Sequence, residues 1–128
     1  MEIINSKLIG TGACIPDFVL TNAMLEKMVD TNDEWIVQRT GVRERRIAKN
    51  THTWELALGA AQDALADAGI EASELDLILV STCTPDTNTP NTASILQDKL
   101  GARQVGAFDI NNACTGFVSA TDIADSYI

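Results

Sequence analysis

Histidine occurs once in the 128 residues, as His52, and cysteine three times, with no Cys-x-x-Cys pair. A structural zinc site needs a close set of such ligands and a disulfide framework needs paired cysteines, so neither organises this chain. Cys14, Cys83 and Cys114 therefore read as reduced thiols of a cytoplasmic protein. No apolar run approaches the roughly 20 residues that span a bilayer, and the start, Met1-Glu2-Ile3-Ile4-Asn5-Ser6-Lys7, lacks the basic opening and apolar core of a signal peptide. Neither secretion nor membrane insertion is supported. Basic residues are few, 9 against 18 acidic, and the net charge of −9 repels phosphate backbones, which argues against general nucleic-acid binding.

What the chain does have is the composition of a folded domain, 45% hydrophobic and 21% charged. Repeats, low-complexity segments and linkers are all missing, so the whole chain is expected to form one unit. A first strand is expected over 3–12, ending at Gly10-Thr11-Gly12. The third glycine of a dinucleotide-binding loop is absent, because Ile15 stands there. Thr21 and Asn22 can cap a short helix through Leu25, Met28 and Val29, and a second runs from Asp33 to about Gln38. A longer helix starts at Thr51 or Thr53 and ends at Gly69; its Ala57, Ala60, Ala61, Ala64 and Ala68 imply close packing against a sheet. A strand over 75–83, a helix over 92–100 closed by Gly101, and a strand over 105–110 follow. The last helix, from about Ala113 onward, is apolar around most of its circumference and reads as buried. This order calls for an α/β fold with parallel strands joined by crossovers.

Two stretches carry chemistry. In Asn111-Asn112-Ala113-Cys114-Thr115-Gly116 a strand hands over to a helix, and a cap at Asn111 or Asn112 puts Cys114 in the first helical turn. Free amides and the helix dipole there stabilise negative charge, so the position suits a nucleophilic thiolate, and Gly116 permits a close approach of backbone or substrate. The same local physics leaves open that Cys114 is a small packing residue. Cys14, Cys83 and His52 have no comparable setting and read as structural. The second stretch, residues 39–46, holds four of the nine basic residues. It is either a local anion patch or a solvated loop.

These two stretches resemble β-ketoacyl-ACP synthase III, the thiolase-fold condensing enzyme that starts type II fatty acid synthesis. Ala113-Cys114-Thr115-Gly116-Phe117 after Phe108-Asp109-Ile110 is similar to its active-site segment, and Thr31-Asn32-Asp33-Glu34-Trp35 through Arg45 is similar to its coenzyme A-binding segment. Gly10, Gly12, Pro16, Thr21 and Asn22 fall in the same order, so the likeness covers essentially all of the chain. It implies a thiolase-like fold, of which residues 1–128 are the incomplete N-terminal half of an αβαβα layered body, stopping before its last strands, with the C-terminal half absent. Acyl-CoA, acyl carrier protein and a second subunit in a homodimer are the implied partners. No metal and no redox cofactor are required, acyl-CoA being substrate. The resemblance makes Cys114 the acyl-accepting catalytic residue. Trp35 is then expected to stack on adenine, Thr31 to hydrogen-bond the base, and Arg39 to meet the phosphates; from the residue alone Trp35 would be a core aromatic. Arg43 is a weaker phosphate candidate, since it can pair with Glu44 or Asp33.

Two positions depart from the family. Thr89 stands where a bulky apolar residue is usual, which puts acyl specificity in doubt, and Asn111-Asn112 replaces small apolar residues. The histidine and asparagine that assist decarboxylation in the family are not among these residues, so the chain alone is expected not to condense anything. The rival readings are a polyketide starter synthase, a 3-hydroxy-3-methylglutaryl-CoA synthase, or a non-catalytic coenzyme A-binding module.

Overall fold

The computed structural model describes residues 6–128, which form two compact units, one of residues 15–51 and the other of residues up to 14 together with 52–128. In chain order the elements are β1 (Val19–Thr21), α1 (Asn22–Leu25), α2 (Asp33–Thr40), β2 (Glu44–Arg46), α3 (Thr53–Ala68), β3 (Leu77–Ser81), α4 (Thr92–Leu100), β4 (Gly106–Ile110) and α5 (Gly116–Tyr127). Single 3₁₀ turns lie at Ala72–Glu74 and Ala113–Thr115. The division into two units has no linker or change of composition to announce it.

In the smaller unit β1 pairs antiparallel with β2, Val19 opposite Arg46 and Thr21 opposite Glu44. Neither strand has the alternating apolar pattern that would have marked it, and part of the basic stretch expected to be a loop is thus strand. Helix α1 is a single turn, capped by Thr21 Oγ1, which accepts from the Met24 amide at 3.3 Å. It does not reach Met28 and Val29 as expected, because both their amides turn back onto the Leu25 carbonyl, at 2.8 and 3.0 Å. Helix α2 opens where expected and ends two residues later, at Gly41, whose φ of 73° closes it in the left-handed region.

In the larger unit β3 and β4 pair in parallel, Leu77 opposite Gly106 and Ser81 opposite Ile110, with α4 as the crossover between them. Both strands are shorter than their apolar runs. Ile78, Ala93, Leu96 and Ala102 form the buried core where α4 meets this pair. The contact is tightened by polar groups: the Asp109 carboxylate on β4 accepts from the amides of Thr92 at 2.9 Å and Ala93 at 2.8 Å, and Asn91 Oδ1 accepts from Ser94 at 2.8 Å. Three first-turn amides that α4 cannot satisfy internally are paired in this way.

Helix α3 runs from Thr53 to the expected stop at Gly69. Its alanine face does receive a close neighbour, but not a hydrogen-bonded strand. Of the strand expected over 3–12, residues 3–5 lie outside the described part and 6–12 form no strand. Instead the backbone crosses α3 at Gly10 and Gly12, where any Cβ would collide with Ala64 or Ala60, and Thr11 and Ala13 give their amides to Asp67 (2.9 Å) and Asp63 (3.0 Å). Carboxylates on α3 take the place of a neighbouring strand. Among the described residues the parallel sheet implied by the element order is a pair, β3 and β4, with an antiparallel ribbon in the other unit.

Because Asp109 serves two otherwise unpaired amides, Asp109→Ala should lower unfolding free energy by about 1–3 kcal/mol. Denaturant titration measures it, and hydrogen exchange should place the fastest-opening amides at Thr92 and Ala93.

Candidate active site and coenzyme-binding helix

Cys114 sits beyond the carboxyl ends of β3 and β4, the end of a parallel sheet where α/β proteins place their ligands. After Ile110 the chain passes through Asn111 and Asn112, makes the 3₁₀ turn Ala113–Thr115, and only then enters α5. The thiol thus stands two residues ahead of the α-helix and not in its first turn. Ala113 is the reason. Its φ of +42° is a left-handed conformation that a residue with a Cβ disfavours, and it breaks the helical run that the sequence predicted from 113. Nor does Asn112 cap with its side chain: Nδ2 donates to Ser119 Oγ at 2.6 Å, while its carbonyl accepts from the Thr115 amide at 3.1 Å and hydroxyl at 3.0 Å. Cys114 is exposed, so in this chain it is not the sealed packing residue that the sequence left open.

Gly116 explains how the turn is held. It is buried, and a Cβ there would overlap Ser81 Oγ and lie 3.2 Å from Ser81 Cβ, so α5 begins in direct contact with the end of β3. The rest of α5 corrects another expectation. Phe117 is 78% and Val118 68% exposed, and Gly116 is the helix's one buried residue, because β3 and β4 cover a single side of a helix that is apolar on several.

In the smaller unit Asn32 Oδ1 accepts from the Trp35 amide at 2.8 Å and starts α2, with half-buried Thr31 just before the cap. Trp35 and Arg39 are one helical turn apart on the same face, and the guanidinium carbon lies 4.8 Å from the ring centroid. At 52% exposure Trp35 is a surface aromatic and not part of a core. Among the described residues Arg43 makes no ion pair with Glu44 or Asp33. Arg45 and Arg46 are occupied within the unit, by Asn22 Oδ1 at 3.0 Å and the Pro16 carbonyl at 3.2 Å. The residue that sequence reasoning passed over is Asn22, taken there as a capping partner of Thr21; it is 1% exposed and bonded on every side.

His52 has a structural setting. It is the N-cap of α3, with Nδ1 at 3.2 Å from Asp86 Oδ1 and its own amide bonded to Glu55. Asp86 also accepts from the amides of Thr53 and Trp54, each at 3.0 Å. Desolvation pushes the Asp86 carboxyl upward, but the amides of Trp54 and Thr53, with His52, outweigh it and hold its pKa below the ordinary aspartate value. Cys14 and Cys83 are exposed and unpaired, Cys14 lying against Gly59 of α3. Among the described residues no cluster of His, Cys, Asp or Glu is able to hold a metal, and no helix is long and apolar enough to cross a membrane.

Over 124 residues, 97% of its length, the chain is 50% identical to the β-ketoacyl-[acyl-carrier-protein] synthase III of Clostridium novyi (strain NT), and over 125 residues 52% identical to that of Aquifex aeolicus (strain VF5). The crystal structure of the 3-oxoacyl-[acyl-carrier-protein] synthase III from Aquifex aeolicus VF5 matches with a TM-score of 0.93 over 96% of the chain. The chain is similar to β-ketoacyl-ACP synthase III along nearly its whole length. The thiolase-like α/β fold expected from the sequence stands with it. The priming β-ketosynthase of the R1128 polyketide pathway shares the fold, with a TM-score of 0.91, at the lower identity of 36%. This chain spans about two fifths of the length of the synthase III relatives, 38% and 40%. No protein-family model matches it.

Two outcomes follow from this geometry. Gly116→Ala should cost about 1–2 kcal/mol by overpacking, and adding Ser81→Ala, which removes the clashing oxygen, should recover most of it in a double-mutant cycle. The depressed Asp86 pKa stabilises the start of α3 at pH values above the unfolded aspartate pKa, and this stabilisation is lost as pH falls through the folded value. The Thr53 and Trp54 amide resonances should therefore titrate with a midpoint below that of an exposed aspartate.

Proposed function

We propose that this chain carries the acyl-accepting part of a β-ketoacyl-ACP synthase III, an acyltransferase of fatty acid synthesis. The Cys114 thiolate attacks the thioester carbonyl of acyl-CoA, the coenzyme leaves as its thiolate, and the acyl group stays on sulfur. Malonyl-ACP then loses carbon dioxide, and the resulting carbanion displaces Cys114 to give the β-ketoacyl-ACP. On α2 the exposed face of Trp35 takes the adenine, Thr31 hydrogen-bonds the base, and Arg39, already stacked on the indole, meets the phosphates. Acyl-CoA and acyl carrier protein are the substrates, no metal or redox cofactor takes part, and the working enzyme is a cytoplasmic homodimer. Decarboxylation falls to groups that these 128 residues do not supply, since His52 is engaged at the start of α3.

The observation that carries this reading is the exposed thiol of Cys114, next to a strained Ala113 and past the sheet's carboxyl edge, within a chain about 50% identical to synthase III enzymes. Backbone strain of this kind persists where the surrounding fold enforces it and is concentrated at functional sites. The 52% identity to the Aquifex aeolicus synthase III structure, against 36% to the R1128 ketosynthase, favours the fatty acid assignment over a polyketide starter synthase.

Incubation with radiolabelled acetyl-CoA and peptide mapping test it. One acetyl group should appear on Cys114 and none after Cys114→Ser, and malonyl-ACP should give no condensation product with this chain alone. Trp35→Ala and Arg39→Ala should each raise the Kd for coenzyme A about five- to thirtyfold, roughly 1–2 kcal/mol. Label that survives Cys114→Ser defeats the assignment of the nucleophile, and coenzyme binding without any label identifies a binding module.

A further inference from the structure

Helix α2 has eight residues, too few to be stable or to hold a direction by itself, so how it presents Trp35 and Arg39 depends on what grips its ends. Both ends are gripped by one side chain. Asn22 Nδ2 donates to Asp33 Oδ1, in the first turn of α2, at 2.7 Å, and to the carbonyl of Val42, just past the closing Gly41, at 2.9 Å. Its Oδ1 accepts from Arg45 Nη2 on β2 at 3.0 Å. The amide can point only one way, because the flipped form would set its oxygen against the Asp33 carboxylate and the Val42 carbonyl, and its NH₂ against a guanidinium. At 1% exposure it has no water to replace a lost partner. The Asp33 amide is held in turn by the Glu26 carboxylate at 2.7 Å, so the front of α2 is tied to the α1 turn twice.

We propose that Asn22 is a positioning residue for coenzyme A capture: by joining Asp33, Val42 and Arg45 it sets the direction in which α2 offers the Trp35–Arg39 face. The proposal rests on the reading of α2 as the coenzyme-binding helix. Asn22 itself touches no substrate. Its partners all lie within residues 15–51, whereas the core of Ile78, Ala93, Leu96 and Ala102 belongs to the other unit, so its loss acts on coenzyme binding and leaves the chemistry of Cys114 alone.

Asn22→Asp is the informative variant, since it keeps the size and the acceptor for Arg45 but loses both donors and sets a second carboxylate against Asp33. Coenzyme A affinity, read by isothermal titration calorimetry, should fall about tenfold. Acetylation of Cys114 by acetyl-CoA should need correspondingly more donor while its saturating rate is unchanged, and acetylation by acetyl-N-acetylcysteamine, a thioester without a nucleotide, should be unaffected. Adding Asp33→Asn restores one hydrogen bond in the reverse sense and should recover part of the affinity. This reciprocal pair decides the matter even if Asn22→Ala fails to fold. Unchanged affinity in Asn22→Asp while Trp35→Ala weakens binding overturns the positioning role and leaves the helix assignment intact. Equal slowing with both thioesters shows a merely structural role and also overturns it. If Trp35→Ala has no effect either, the coenzyme reading of α2 falls, and this proposal with it.

Discussion

The carboxylate of Asp109 holds the larger unit in the arrangement that matters. It sits one residue before the end of β4 and bonds the first two amides of α4, so the strand's end and the crossover helix that precedes it cannot move apart. Everything downstream inherits that anchor. Five residues on comes Cys114, and its position past the sheet edge follows from where β4 stops and from the contact of Gly116 with Ser81 on the paired strand.

The same device recurs through the chain. Asp86 serves the start of α3, Asp63 and Asp67 hold the crossing N-terminal segment, Glu26 holds the front of α2, and Asn22 holds both of its ends. The carboxylates accept from backbone amides left without a partner in their own element, and Asn22 joins one backbone carbonyl, that of Val42, to the side chains of Asp33 and Arg45. Acidic residues outnumber basic ones two to one, and several of them are occupied by amides and not by cations. The excess negative charge is therefore in part a consequence of how these short helices are capped.

The proposed chemistry draws on the two units in different ways. The larger one contributes an exposed sulfur preceded by a residue in a costly conformation, in which rigid strand ends and a glycine contact hold a reactive turn. The smaller one contributes a flat aromatic with a guanidinium on it, carried by a helix whose stability is borrowed from its neighbours. A thioester substrate with a large nucleotide handle calls for both kinds of surface, one for reaction and one for recognition.

Much of this was legible in the order of the residues. The start of α2 at Asp33, the start of α3 near Thr53, and the ends of α3 and α4 at Gly69 and Gly101 were marked, because capping chemistry is local and a few adjacent residues decide it, whereas α2 was expected to stop near Gln38 and runs on to Gly41. The parallel pairing of β3 and β4, and the place of Cys114 between strand and helix, followed from apolar runs separated by a helical pattern. What the tertiary structure alone decided depended on partners far along the chain. Residues 6–12 read as strand by composition but lie unpaired across α3, the Glu44-Arg45-Arg46 stretch reads as loop but pairs with β1, and Ala113 breaks a helix that periodicity would start there. Asn22 looked like one more cap, and its buried contacts arise only because Asp33, Val42 and Arg45 come together around it. Residue types and spacing determined the local conformations and the candidate nucleophile; pairing, burial and the direction of α2 required contacts that no short window of sequence contains.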